Sequence, residues 1–402
     1  MSRYIIIGHF INLFCILLPI FVAFFDLTNA DDEKQLVMVQ IVWRHGERAP
    51  THRYPNDLYE EDYWGVPLGT LTPNGIKQQE TFGKELRKIY IEGHKLINPE
   101  YNYKEITVRS TKKNRTIESA LANLRGFYDI PSSQNIPVLT DFFGINDVWN
   151  KGISCPKLNS LMSERLDSYY GILYKENKEF IDMLQEKSGY TEMTMKSITD
   201  LFDIIYVQKS LNASIPDWLS DGNYDKLKNM AFEIYKLMDG AAAFGMPEDL
   251  QITQLYEGPL LKDIIKNFES KRTTYEVSAF VMKFMKPRTM NLSFNNLKYV
   301  AYSGHDFTLA GLFFIMGIDN FLEKEELTTD FTASIMYELY TNKYKHYEIK
   351  ILFSRSGGKN ILDITNRVKG CGGSFNCSFN DFKESIQGRI PGDVLNDCGY
   401  QE

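Results

Sequence analysis

The chain has 402 residues, 43% of them hydrophobic and 24% charged, which allows two globular units or one large domain carrying an insertion and excludes wholesale disorder. A formal net charge of −7 excludes a general nucleic-acid binder, which needs a basic stripe. An anionic ligand must therefore be captured by a local positive pocket in a negative molecule.

Arg3 precedes an apolar stretch, Tyr4 to Phe25, followed by the polar run Asp26-Leu27-Thr28-Asn29-Ala30. This order predicts a secretory signal peptide over residues 1–30, with the small Ala30 at the cleavage site. Left uncleaved, the same stretch would be a membrane anchor, and it is the only expected route to a membrane. The next run, Leu36 to Trp43, is almost wholly apolar and reads as a strand buried on both faces of an α/β sheet. It ends in Arg44-His45-Gly46-Glu47-Arg48-Ala49-Pro50, and charged residues at the end of a buried strand are where α/β sheets place ligand sites. Thr72-Pro73 opens a helix, Thr as cap and Pro at the first position. Glu105 to Val108 reads as a second strand ending in Arg109-Ser110-Thr111, and Lys112 to Phe127 as a helix.

From Cys155 to Phe284 the pattern turns to helix-period segments without strands. Strand character returns at Lys298 to Tyr302, which runs into Ser303-Gly304-His305-Asp306 and then a helix, Phe307 to Met316. Ala333 to Tyr340 and Tyr347 to Phe353 alternate as a hairpin. The expected fold is a mixed-sheet α/β domain flanked by helices, built from residues 31–154 and 291–402 and split by an all-helical cap over 155–290.

Three strand ends carry unusual polar residues: Arg44, His45 and Arg48 on the first, Arg109 on the second, His305 and Asp306 on the third. Three arginines, two histidines and one acid suit a small dense anion, because guanidinium forks match phosphoryl oxygens in pairs and stay charged. Phosphoryl transfer needs mostly positioning and neutralisation, which such forks supply without a metal. Arg44 and Arg48 flank His45 and disfavour its imidazolium, which leaves a ring nitrogen free to attack phosphorus. Asp306 is the one carboxylic acid of the set and is expected to protonate the leaving alkoxide, then to act as base toward water.

Cys15 lies in the leader, so Cys155, Cys371, Cys377 and Cys398 remain, an even number that suggests two disulfides with three connectivities open. Cys371 and Cys377 flank a Gly-rich turn suited to a local bridge, which would leave Cys155 to reach Cys398. Asn114, Asn212, Asn291 and Asn376 begin N-glycosylation triplets. His52, His94 and His346 lack such context and read as surface residues. The aromatic-rich insertion (Tyr169, Tyr170, Tyr174, Phe180) reads as core or dimer surface.

Arg44 to Pro50 fits the R-H-G-x-R-x-P motif without a mismatch, and the sequence resembles the histidine acid phosphatases, the branch of the histidine phosphatase superfamily that includes the prostatic and lysosomal enzymes. Trp64, Gly69-x-Leu71-Thr72-x-x-Gly75 and Gln79, Arg109-Ser110-Thr111 with Arg115-Thr116, and Ser303 to Asp306 resemble further family segments. The resemblance implies a phosphorylated His45, a phosphate site of Arg44, Arg48, Arg109 and His305, and Asp306 as the acid. It also implies no metal or other cofactor, an acid optimum, a homodimer in many members, and bridges Cys371–Cys377 and Cys155–Cys398. Lys112 departs from the Asp that often follows Arg-Ser-Thr in the family. The expected activity is that of a secreted or lysosomal acid phosphatase acting on small phosphomonoesters or phosphoproteins. The alternatives from other classes are a family member acting as a secreted binding protein and a phosphotransferase to alcohols.

Overall fold

A computed structural model describes residues 34–140, 155–220, 222–284, 296–318 and 329–400. The leader expected over 1–30 and the triplet at Asn291 lie outside the described residues. Strand β1 (Gln35–Arg44) is buried at every position after Gln35, as its apolar sequence demands. It pairs in parallel with β3 (Tyr299–Gly304), which pairs in parallel with β2 (Ile106–Ser110). On its other side β1 runs antiparallel to β4 (Ser334–Thr341), and β4 to β5 (Tyr347–Ser354), the expected hairpin. Two short strands, β6 (Leu362–Asp363) and β7 (Cys377–Ser378), complete the far edge.

Both faces of this mixed sheet are covered. Helices α1 (Pro73–Arg87) and α2 (Asn114–Tyr128) press Phe82, Leu86, Leu124 and Phe127 against Val39, Ile41 and Trp43 of β1. The opposite face receives helices α7 (Gly258–Phe284) and α8 (Asp306–Ile315), which contribute Leu260, Ile264, Phe268, Leu309 and Phe313. Each such side chain contributes about 1.5–3 kcal/mol on burial, so the sheet core dominates the stability.

The helices after residue 155 do not form one body. Helices α3 (Pro156–Ser188), α4 (Met195–Ser210) and α5 (Asn223–Met238) share a core of their own, with Tyr169 and Phe180 inside it. After α6 (Leu250–Tyr256), helix α7 (Gly258–Phe284) packs instead on the sheet. Helices α3 to α5 are thus the part of the expected all-helical cap that has its own core, and the stretch expected as that cap over 155–290 also supplies α7 to the core of the sheet. Among the described residues no helix is long and apolar enough to cross a membrane. The C-terminal segment carries α9 (Phe379–Ile386) and α10 (Val394–Asp397), which sequence periodicity did not announce.

Two disulfides are formed, Cys371–Cys377 and Cys155–Cys398. The second joins residues 243 apart and sits in a small apolar cluster with Leu158, Leu255 and Tyr256, tying the start of the cap to the end of the chain. Closing so long a loop restricts the unfolded chain strongly. Replacing Cys155 and Cys398 by Ala is expected to lower stability by about 2–5 kcal/mol in urea or thermal unfolding. A variant as stable as the wild type would show that this bridge does not hold the cap.

Candidate active site

The parallel register brings the polar strand ends together. Arg44 stands opposite Gly304, and Ser110 opposite Ser303, so the chain leaves β1, β3 and β2 on one edge of the sheet. The His45 amide donates to the Gly304 carbonyl at 3.0 Å, and the Gln79 side chain donates to the Arg44 carbonyl at 2.9 Å. The turn after β1 is wedged under the start of α1. A Cβ on Gly46 would lie 2.3 Å from the Gly75 carbonyl oxygen, and one on Gly75 would lie 2.0 Å from that of Glu47. Glu47 locks the wedge, its carboxylate accepting from the Thr72 hydroxyl at 2.6 Å and the Asn74 amide at 2.9 Å. The two glycines therefore belong to backbone contact rather than chemistry.

Arg44 is 1% exposed. It donates to the Thr329 carbonyl at 2.7 Å and the Tyr206 hydroxyl at 3.3 Å, and the Phe331 ring lies 4.4 Å from its guanidinium. Its Nη2 forms an ion pair with Asp306 at 2.9 Å, out of line for a hydrogen bond. Arg48 donates through Nη2 to both oxygens of Asp203, at 2.8 and 3.0 Å. Among the described residues the buried Nε–H groups of Arg44, Arg48 and Arg115 have no protein acceptor. Three guanidiniums with spare donors in one pocket are chemically fitted to an oxyanion.

Both imidazoles are held neutral. Burial is the largest cause of the lowered pKa of His45, followed by Arg115, Arg48 and Arg44. His305, 5.6 Å away ring to ring, is lowered likewise by burial and then Arg115. His45 Nδ1–H donates to the Gly46 carbonyl at 2.8 Å, which leaves the lone pair on Nε2. His305 Nε2 lies 3.0 Å from the Thr111 hydroxyl, and its ring stacks on Phe307. Burial alone would raise the pKa of Asp306, but Arg44 and Arg48 outweigh it and hold the carboxyl at about 2. Arg115 bears the strain of the cluster: burial and then Arg48 lower its guanidinium to about 10.

One expected residue is elsewhere. Arg109 donates to Asp263 at 2.8 Å, with the Tyr302 ring 5.7 Å away. The reason is the pleat of β2: Ile106 and Val108 face the core under α1 and α2, so Arg109 faces the side covered by α7. The third guanidinium beside the imidazoles is Arg115, in the first turn of α2. The signal for it was Arg115-Thr116 in a helix start just beyond a strand end, where α/β proteins place anion sites. Asp203 and Tyr206, which orient Arg48 and Arg44 from α4, were also missed. Lys112 is exposed, and Asp263 rather than a residue at position 112 fixes Arg109. Asn114, Asn212 and Asn376 are exposed.

Arginines and neutral histidines thus gather where the parallel strands of a mixed sheet end, the arrangement expected of a histidine phosphatase. Residues 35–354 match the model of the histidine phosphatase superfamily, branch 2, and the chain belongs to that family. It is 29% identical over 391 residues to lysosomal acid phosphatase of Xenopus laevis, covering 94% of this chain and 82% of the relative. It is 25% identical to prostatic acid phosphatase of Rattus norvegicus, covering 91% and 89%. Among solved structures, Hafnia alvei phytase in complex with tartrate superposes with a TM-score of 0.63 at 12% identity, covering 91% of this chain and 98% of the phytase. That likeness is one of fold.

Arg115→Ala is expected to lower kcat/KM by about 10²–10³-fold, the usual cost of removing one electrostatic donor from a transition state. Arg109→Ala should lose less than about 10-fold. The reverse order in a steady-state assay on p-nitrophenyl phosphate would return the third arginine to position 109.

Proposed function

We propose that the protein is a lysosomal or secreted acid phosphatase in which His45 is the phosphorylated nucleophile, Asp306 the proton donor, and Arg44, Arg48, Arg115 and His305 the phosphate cradle. The enzyme hydrolyses phosphate monoesters. The observation that carries the assignment of roles is the state of His45: neutral, with Nδ1 spent on the Gly46 carbonyl, among guanidiniums whose Nε–H groups lack protein acceptors. Two disulfides and relatives named lysosomal acid phosphatase support an exported location.

In the first step His45 Nε2 bonds to phosphorus as the ester P–O bond breaks, and the leaving oxygen takes a proton from Asp306. In the second, Asp306 takes a proton from water as its oxygen displaces His45, releasing inorganic phosphate. Arg44, Arg48 and Arg115 neutralise the equatorial oxygens in both. His45→Ala should therefore lose nearly all turnover while folding normally. Rapid quench of the wild type with labelled substrate should trap phosphate on His45. Label on a serine or on Asp306 instead would overturn the assignment.

The free enzyme holds Asp306 ionised above a pKa of about 2, so the proton for the leaving group has to enter with substrate. A substrate monoanion meeting ionised Asp306 carries the same proton count as a dianion meeting protonated Asp306. The second phosphate ionisation lies near pH 6. Accordingly kcat/KM should be flat on the acid side and fall about tenfold per pH unit above about 6. The lower limb, set by protonation of His45, should lie well below pH 6.5 because its pKa is depressed. Asp306→Asn should cost about 10²–10⁴-fold for alkyl phosphates and much less for p-nitrophenyl phosphate, whose leaving group needs no proton. Equal losses for both in single-turnover phosphorylation would remove Asp306 from proton transfer.

A further inference from the structure

The mechanism leaves a buried pair of hydroxyls without a task. Thr111, the residue after β2, is fully buried, with Oγ1 3.0 Å from His305 Nε2 and 2.6 Å from the Oγ1 of Thr116, which is equally buried in the first turn of α2. Thr116 Oγ1 also lies 2.8 Å from the Lys113 carbonyl and 3.1 Å from that of Thr111. The backbone around the pair is pinned to the sheet. The Thr111 amide donates to the Ser303 carbonyl at 3.2 Å. Ser303 Oγ donates to the Thr116 carbonyl at 2.7 Å and accepts from Trp43 Nε1 at 3.0 Å.

Each hydroxyl has one proton to donate, so the chain has two self-consistent settings. In the first, Thr116 donates to the Lys113 carbonyl, Thr111 donates to Thr116, and His305 Nε2–H donates to Thr111. The ring proton then sits on Nε2, and Nδ1 presents a lone pair. In the second, Thr116 donates to Thr111 and Thr111 donates to His305 Nε2, so the ring proton sits on Nδ1. Between them the hydroxyls rotate and the ring exchanges its proton from one nitrogen to the other, with no net gain or loss. His305 Nδ1 is buried and makes no hydrogen bond to protein among the described residues; the Thr308 amide, which faces the His305 side chain at the start of α8, does not close one. Phosphoryl oxygens are acceptors, so a lone pair on Nδ1 repels them and an N–H binds them. A ring kept neutral by burial and Arg115 has one proton and cannot serve both nitrogens.

We propose that Thr111, backed by Thr116, is a positioning residue of the phosphatase reaction, whose hydroxyl donates to His305 Nε2 and so fixes the tautomer that offers Nδ1–H to the phosphoryl group. The inference rests on the reading of His305 as a phosphate ligand. Thr111→Val keeps the shape of the side chain and removes the donor. It should lower kcat/KM by about 10–100-fold and weaken competitive inhibition by inorganic phosphate by a similar factor, the scale of one hydrogen bond to a charged ligand. Thr111→Ser keeps the donor and loses a methyl group, and it should stay within about threefold of wild type. A merely structural role predicts that the valine variant, which leaves His305 Nε2 and Thr116 Oγ1 unpaired, loses stability while phosphate inhibition of the folded enzyme stays at the wild-type value. Histidine ¹⁵N chemical shifts of the unmodified enzyme with inorganic phosphate should report His305 protonated on Nδ1, a measurement that does not depend on any variant folding. A proton on Nε2, a Val variant with wild-type phosphate inhibition, or a Ser variant as impaired as the Val variant would each overturn the role of Thr111. Wild-type turnover by His305→Ala would instead remove the reading of His305 itself.

Discussion

Three guanidiniums crowded around two uncharged imidazoles are the constraint on which the rest of the site depends. Like charges do not gather in a buried pocket by themselves, and the lowered pKa of Arg115 records its burial first and then the repulsion from Arg48. Elements with other sources of stability hold the cluster. Arg44 and His45 end a strand buried between two layers, Arg115 sits in a helix packed on that strand's core, and His305 begins α8 directly after β3. The sheet core supplies the free energy, and the pocket stores part of it as unmatched positive potential. An oxyanion relieves that potential, which fits the pocket to the equatorial oxygens of a phosphoryl group in the proposed reaction.

The cap belongs to this arrangement rather than merely covering it. Asp203 and Tyr206 of α4 reach down to Arg48 and Arg44, and Gln208 of the same helix donates to Asp57 in the segment following β1. That segment in turn sends Tyr54 into the core of the cap. Cap and sheet therefore interlock on both sides of the pocket. Displacing α4 would strip Arg48 of its counterion and leave a buried charge unpaired, an outcome far costlier than losing an exposed ion pair.

What could be read from the sequence divides along the same line. The motif after β1 and the Gly304-His305-Asp306 segment were legible because each is local: a buried strand, a sharp exit and a helix start follow one another within a few residues. The arginine of the second strand was the hardest to place, because choosing between Arg109 and Arg115 requires the pleat of β2, and a five-residue strand has too weak an alternation to reveal it. Asp203, Tyr206 and Asp263 had no local signal at all. The first two meet the site and the third meets Arg109 away from it, from 154 to 162 positions away in sequence, through packing that periodicity does not encode. The helical cap was recognisable as helical, but α7 has the same period whether it packs on helices or on a sheet.

The positive cluster also bears on how His45, as the proposed nucleophile, can serve an acid phosphatase. An unperturbed imidazole with a pKa of about 6.5 is only about 3% neutral at pH 5, so a solvent-exposed histidine would lose most of its nucleophile there. Burial and the three guanidiniums push His45 well below that value, so its lone pair survives where the substrate is still a monoanion. The same charges keep Asp306 ionised, and in the proposed mechanism the phosphoryl charge of the substrate offsets Arg44 and Arg48 so that the carboxyl can hold a proton. A metal ion would lower these pKa values as well, but it would also claim an imidazole lone pair as a ligand. Guanidiniums exert the field without coordinating nitrogen. Phosphate recognition, a nucleophile usable in acid and a carboxyl that gains its proton only with substrate thus all follow from placing arginines beside histidines.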